Sequence, residues 1–151
     1  MKINSHSLVV RLAGLLAIAA CAFILLGPVG AVPLTAVDEK SVRAVVEGQL
    51  AAFANDDALK AFSYAAPNVQ KAVTTAAGFL AMVRNDYPII YRPASVAFLK
   101  PEGKDNQVIQ RVQMLDANGN PWLAIYSLQR QKNKAWLITG CVVTQNKGRM
   151  A

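Results

Sequence analysis

The chain has 151 residues, 54% of them apolar, and 16 Lys and Arg against 9 Asp and Glu for a formal charge of +7. That is enough for one domain with its own core, and at 17% charged residues it is too apolar for a disordered or low-complexity protein. The one histidine, His6, lies in the N-terminal segment. If that segment is removed no imidazole remains, which excludes Ser–His or Cys–His nucleophile pairs and a His-bearing zinc or iron site.

Lys2 and Arg11 precede an uncharged run, Leu12 to Leu26, which gives way to Gly27, Pro28, Val29, Gly30 and Ala31. A basic start, an apolar middle and small residues after it form a secretory signal over residues 1–31, with cleavage expected after Ala31 and Ala36 as the second possible point. With Leu8 to Val10 and Val29 to Leu34 included, the apolar stretch nearly reaches the ~20 residues that cross a bilayer, so an uncleaved anchor helix is the alternative. Ile18-Ala19-Ala20-Cys21 has the residue types of a lipoprotein cleavage box, but apolar Ala22 to Leu26 follows where a polar tether would begin. Each reading implies export: a periplasmic or secreted domain, or one held to the membrane by this segment alone. The exported part keeps only Cys141, so it has no internal disulfide. Its Lys and Arg are scattered rather than gathered in a stripe, which argues for a solvated surface and against nucleic acid.

Thr35-Ala36-Val37-Asp38 reads as a helix start, and Val42, Val45, Val46, Leu50 and Phe53 form the stripe of the helix that follows. Asn55-Asp56-Asp57 ends it and opens a second helix, Ala58 to Tyr64, which Pro67 stops. A third helical stretch holds Asn68 to Val73, and a fourth carries Phe79, Met82 and Val83 up to Tyr87-Pro88, with Gly78 either between them or tolerated in one. Asp38 and Asp56 are read as caps. Beyond Pro93, short Val-, Ile- and aromatic-rich runs predict strands over Ser95 to Lys100, Gln107 to Leu115, Trp122 to Gln131 and Trp136 to Thr144. Asn118-Gly119 and Asn133 suit tight turns, which makes the last three strands antiparallel. Glu102 and Asp105 fall in a polar loop. Trp122 to Leu128 and Leu137 to Val143 are apolar on both parities and read as central, covered strands. The expected fold is α+β, with the helices packed on the concave face of a curved antiparallel sheet and the signal or anchor helix ahead of them.

The segments Gln49 to Phe53, Asp56 to Phe62, Ala65-Ala66-Pro67, Met82 to Pro88, Tyr91-Arg92-Pro93, Asp116 with Gly119 and Trp122, and Trp136 to Cys141 resemble the DUF4864 family of uncharacterised, mostly bacterial proteins. The resemblance covers roughly Val42 to Val143 and implies a domain over residues 37–145, followed by a basic tail at 146–151. The family is similar in pattern to the NTF2-like (cystatin-like) superfamily, which implies a cone of bent strands with helices across its open side. It transfers no catalytic residues, metal or cofactor.

The aromatic set exceeds what covering a small sheet requires, so a partly open apolar pocket is expected, lined by Tyr64, Met82, Tyr91, Arg92, Tyr126 and Cys141. Gly140 before Cys141 suggests a bulge that re-aims the thiol, which a cation such as Arg84 or Arg92 would have to activate. The function these features favour is non-catalytic binding of a small apolar or amphipathic molecule, or of an envelope protein. The alternatives are an isomerase-, dehydratase- or hydrolase-type enzyme using a carboxylate, Tyr or Cys141, and a homodimerisation module.

Overall fold

The computed structural model describes residues 33–146. The signal or anchor reading over residues 1–31, with Cys21 and the Ala31 cleavage point, lies outside the described residues, as does the tail from residue 147. The described residues all belong to one compact unit. Among the described residues no helix is long and apolar enough to cross a membrane.

The first helix, α1 (Ala36–Ala54), begins in a reciprocal cap. The Thr35 hydroxyl oxygen accepts from the Asp38 N–H at 3.1 Å, and the Asp38 carboxylate accepts from the Thr35 N–H at 3.4 Å. Cleavage after Ala36 would remove this cap, whereas cleavage after Ala31 would leave it. The buried stripe is Val42, Val46, Gln49, Leu50 and Phe53, at helical spacing. Three short helices follow, α2 (Ala58–Ser63), α3 (Pro67–Val73) and α4 (Ala76–Asp86), and then a single turn, α5 (Pro88–Tyr91). Gly78 is tolerated inside α4, where its N–H donates to the capping Thr75 hydroxyl at 3.0 Å.

The second half is an antiparallel sheet of β1 (Ser95–Phe98), β2 (Glu102–Lys104), β3 (Gln107–Leu115), β4 (Pro121–Arg130) and β5 (Trp136–Gln145), in the order β1-β3-β4-β5 with β2 also on β3. The polar loop expected around Glu102 is therefore a hairpin: Lys104 pairs with Gln107 across a tight turn in which Asp105 takes φ 56°. Periodicity could not reveal β2, because all three of its residues are exposed. β1 and β2 are two halves of one edge, interrupted at Leu99 to Pro101. At the interruption the buried Gln110 amide nitrogen donates to the carbonyls of Leu99 (2.7 Å) and Arg111 (2.9 Å).

One face carries Val108, Val112 and Met114 of β3, Ala124, Tyr126 and Leu128 of β4, and Trp136 and Ile138 of β5, all buried beneath the helices. Fully burying one such side chain contributes about 1.5–3 kcal/mol, which makes this layer the main source of stability. The opposite parity is not covered as the sequence predicts. Leu123, Ile125 and Leu137 are half-buried and Val142 is 61% exposed. β5 is also an edge strand rather than a central one.

The turns are built by side chains. Gly119 takes φ 78°, and Asp116 accepts from the N–H groups of Asn118 and Asn120 (2.9 Å each), the Asn120 amide (3.0 Å) and the Trp122 indole (3.1 Å). These bonds, the Asn120 side chain foremost, lower the Asp116 carboxyl from 3.8 to about 2. A folded-state value below the unfolded one gives stability that is present above about pH 4 and lost as the pH falls through about 2. Asp116→Asn is expected to melt several degrees lower at neutral pH, with the gap to wild type closing near pH 2 when followed by circular dichroism. In the next turn Lys134, rather than Asn133, takes the positive φ of 68°, while the Asn133 side-chain oxygen accepts from the Ala135 N–H at 3.1 Å.

Candidate functional site

Between the helices and β4–β5 lies an apolar cavity of about 130 Å³. α1 supplies Gln49 and Phe53, α4 supplies Phe79, Met82 and Val83, and the sheet supplies Tyr126, Ile138 and Cys141. Ala65 and Val69 close one side, and Tyr87 and Ile90 form another. The close approach of the helical layer to β5 depends on small residues. The Ala66 N–H donates to the Ile138 carbonyl at 2.8 Å and the Ile138 N–H to the Tyr64 carbonyl at 2.9 Å, with Ala65 and Ala66 fully buried between them. The rim is open at Tyr87, which is 40% exposed.

A β-bulge sets the sheet wall. Leu128 pairs with Ile138 but Ser127 pairs with Gly140, so Thr139 is the extra residue and the parity of β5 reverses. Cys141 consequently stands opposite Tyr126 and turns into the cavity on the same side as Ile138. The Thr139 hydroxyl donates to the Ser127 carbonyl at 3.1 Å, and the Asn68 amide donates to the Thr139 carbonyl at 2.9 Å, which pins the bulge from both sides.

Tyr126 is 1% exposed, and its hydroxyl oxygen is buried without a hydrogen bond of ordinary geometry. Its polar neighbour is the Cys141 thiol, a weak partner. Burial first, and Cys141 second, push the Tyr126 phenol well above its ordinary value of 10.0. Burial likewise pushes the Cys141 thiol from 9.0 up to about 12. Both groups are therefore neutral near pH 7, and neither serves as a base or a thiolate nucleophile there. Iodoacetamide at about pH 8 is expected to alkylate Cys141 about a hundredfold more slowly in the native chain than in the unfolded one, as read by peptide mass spectrometry.

The structure brings Met82, Tyr126 and Cys141 together on this cavity. Tyr64, Tyr91 and Arg92 are placed elsewhere. The Tyr64 ring lies against α1 at Gly48, where an added Cβ would stand 2.6 Å from its Cζ, and the Lys60 ammonium sits 5.4 Å from the ring centroid. Tyr91 and Arg92 join a second cluster around Asp56, which takes φ 55° after α1 while the adjacent Asp57 caps α2. Asp56 accepts from the Tyr91 hydroxyl (2.5 Å), Arg84 (2.8 Å) and Arg92 (3.2 Å). Its carboxyl is lowered by the Tyr91 bond first and the Arg84 bond second. Asp56 is thus a tie between the α1–α2 link and the chain around α5 rather than the expected cap. Since it binds both arginines, neither is free to activate Cys141.

Residue patterns missed Gln49 and Phe53 as lining residues. The available signal was a glutamine within an otherwise apolar stripe, Val42-Val46-Gln49-Phe53, which buries an amide where packing alone calls for a hydrocarbon. The Gln49 amide nitrogen donates to the Ala61 carbonyl at 3.2 Å. A larger trough of about 700 Å³ lies between β2 and the start of α3, with Asn68, Glu102, Lys104, Gln107 and Gln129 exposed along it, but no lining residue carries an orphaned buried group. Among the described residues no cluster of His, Cys, Asp and Glu could hold a metal ion.

Helices laid over one face of a curved antiparallel sheet, with an apolar space between the layers, define an α+β domain. The chain belongs to the DUF4864 family, described as a domain of unknown function, whose model matches residues 35–151. A solved structure described as an NTF-2-like protein of unknown function from Burkholderia xenovorans LB400 is similar over 75% of this chain and 88% of its own, at 16% identity and a TM-score of 0.48. No curated protein matches the sequence.

Proposed function

We propose that this is an exported domain that binds a small apolar molecule in the cavity between α1, α4 and β4–β5, without catalysis. The observation that carries the reading is the apolar space itself, with Tyr126 among its lining residues and the buried Tyr126 hydroxyl held by no partner stronger than the Cys141 thiol. Left empty, such a space forgoes packing of the order of 3 kcal/mol, and an unsatisfied buried hydroxyl costs about 1–3 kcal/mol more. An apolar occupant recovers the packing. Tyr126 and Cys141 on the wall are both driven neutral, which favours binding over acid–base chemistry.

Benzene is the simplest probe, since an apolar cavity of about 150 Å³ holds it. A thermal-shift titration of the full chain with benzene is expected to raise the melting temperature. Met82→Trp, which fills the cavity from its half-buried rim, is expected to abolish the rise while keeping a cooperative melt of its own. No shift in the wild type near benzene saturation, or an equal shift in Met82→Trp, would refute the reading.

A further inference from the structure

We infer that the occupant is an uncharged molecule of about one ring's size with a hydrogen-bonding oxygen, and that the Tyr126 hydroxyl is the group that selects it. The inference rests on the reading of the cavity as a ligand site and adds its chemistry. Size comes first: about 130 Å³ is close to the volume that accommodates benzene, and too small for a fused-ring or long-chain molecule to enter whole.

Charge comes second. The lining contains no Asp, Glu, Lys or Arg. Arg84 and Arg92, carried by α4 and by the residue after α5, are bonded to Asp56 and do not line the cavity. A carboxylate or ammonium moved into this space would lose its hydration with no counter-charge to replace it.

Polarity comes third. The Gln49 amide nitrogen donates to the Ala61 carbonyl, which leaves that side chain its amide oxygen and one further N–H, Tyr87 stands at the rim where water reaches it, and a thiol is a poor partner. The Tyr126 hydroxyl is buried, able both to donate and to accept, and has only the Cys141 thiol as a weak partner. A ligand oxygen against it would give both groups a stronger partner, whereas a hydrocarbon of the same shape leaves the phenol with the thiol alone. That difference is the selectivity.

Phenol and toluene have nearly the same size and differ in the hydroxyl, and benzoate adds the charge. Ligand-observed NMR titrations of all three would be run with the full-length wild type and with Tyr126→Phe, which keeps the ring. Phenol is expected to bind about five- to tenfold more weakly to Tyr126→Phe than to wild type, with toluene unchanged or tighter. Benzoate is expected to bind the wild type at least about thirtyfold more weakly than phenol. This wild-type arm decides the question of charge even if the variant fails to fold. If phenol and toluene bind but respond alike to Tyr126→Phe, or if benzoate matches phenol, the selection is overturned while the ligand site stands. If none of the rings binds the wild type, the site itself is overturned.

Discussion

Phe53→Ala is expected to lower stability by about 3–5 kcal/mol, a loss on the order of 15 °C in melting temperature for a domain of this size. Phe53 is 1% exposed and sits where α1 crosses the cavity. Its ring meets Phe79 with centroids 5.5 Å apart at a tilt of 49°, and Phe79 meets Phe62 in the same way, so one side chain links α1 to α4 and through it to α2. Removing the ring joins its volume to an existing space, so the surroundings have little to collapse onto, and the loss should fall at the upper end for a Phe-to-Ala change. Phe53→Leu is expected to cost far less. A calorimetric loss below about 1 kcal/mol for the alanine variant would mean that α1 is not held as described.

Tyr126→Phe is expected to act in the opposite sense and raise stability by about 1 kcal/mol or more in the absence of ligand. The hydroxyl is desolvated in the fold with only a thiol as partner but fully hydrated in the unfolded chain, so deleting the oxygen removes a penalty that only the native state bears. The same change is expected to weaken phenol, and that opposition marks a functional group rather than a packing one. Denaturant melts of the two proteins decide the point. A stability loss of similar size would show that the phenol is already satisfied.

The contrast between these two residues reflects what the sequence could reveal. Strand β3 was legible to the residue because alternation along Gln107–Leu115 follows directly from one covered face. The cap at Thr35, the turn at Gly119 and the helix break at Pro88 were equally local. β2 and the tie at Asp56 were not legible. The first depends on pairing exposed residues across a hairpin, and the second on bringing Tyr91 and Arg92 back to a residue 35 and 36 positions earlier. The cavity falls between these cases. Tyr126 and Cys141 were recognisable as inward candidates, but their meeting depends on the extra residue at Thr139, and a bulge shifts parity without leaving a fixed mark in composition. Tyr64 and Arg92 were misplaced because aromatic and basic residues suit an inner wall and an outer surface equally well.

The interrupted edge has a bearing on how copies of this protein behave when crowded. The β1–β2 side offers no continuous row of free backbone groups, because it breaks at Pro101 and Gln110 occupies the gap. The opposite border is occupied at Ile138 by the Tyr64 to Ala66 segment. Neither flank gives a second molecule a full-length template for strand-by-strand growth into fibrils, so the sheet keeps some protection against cross-β aggregation.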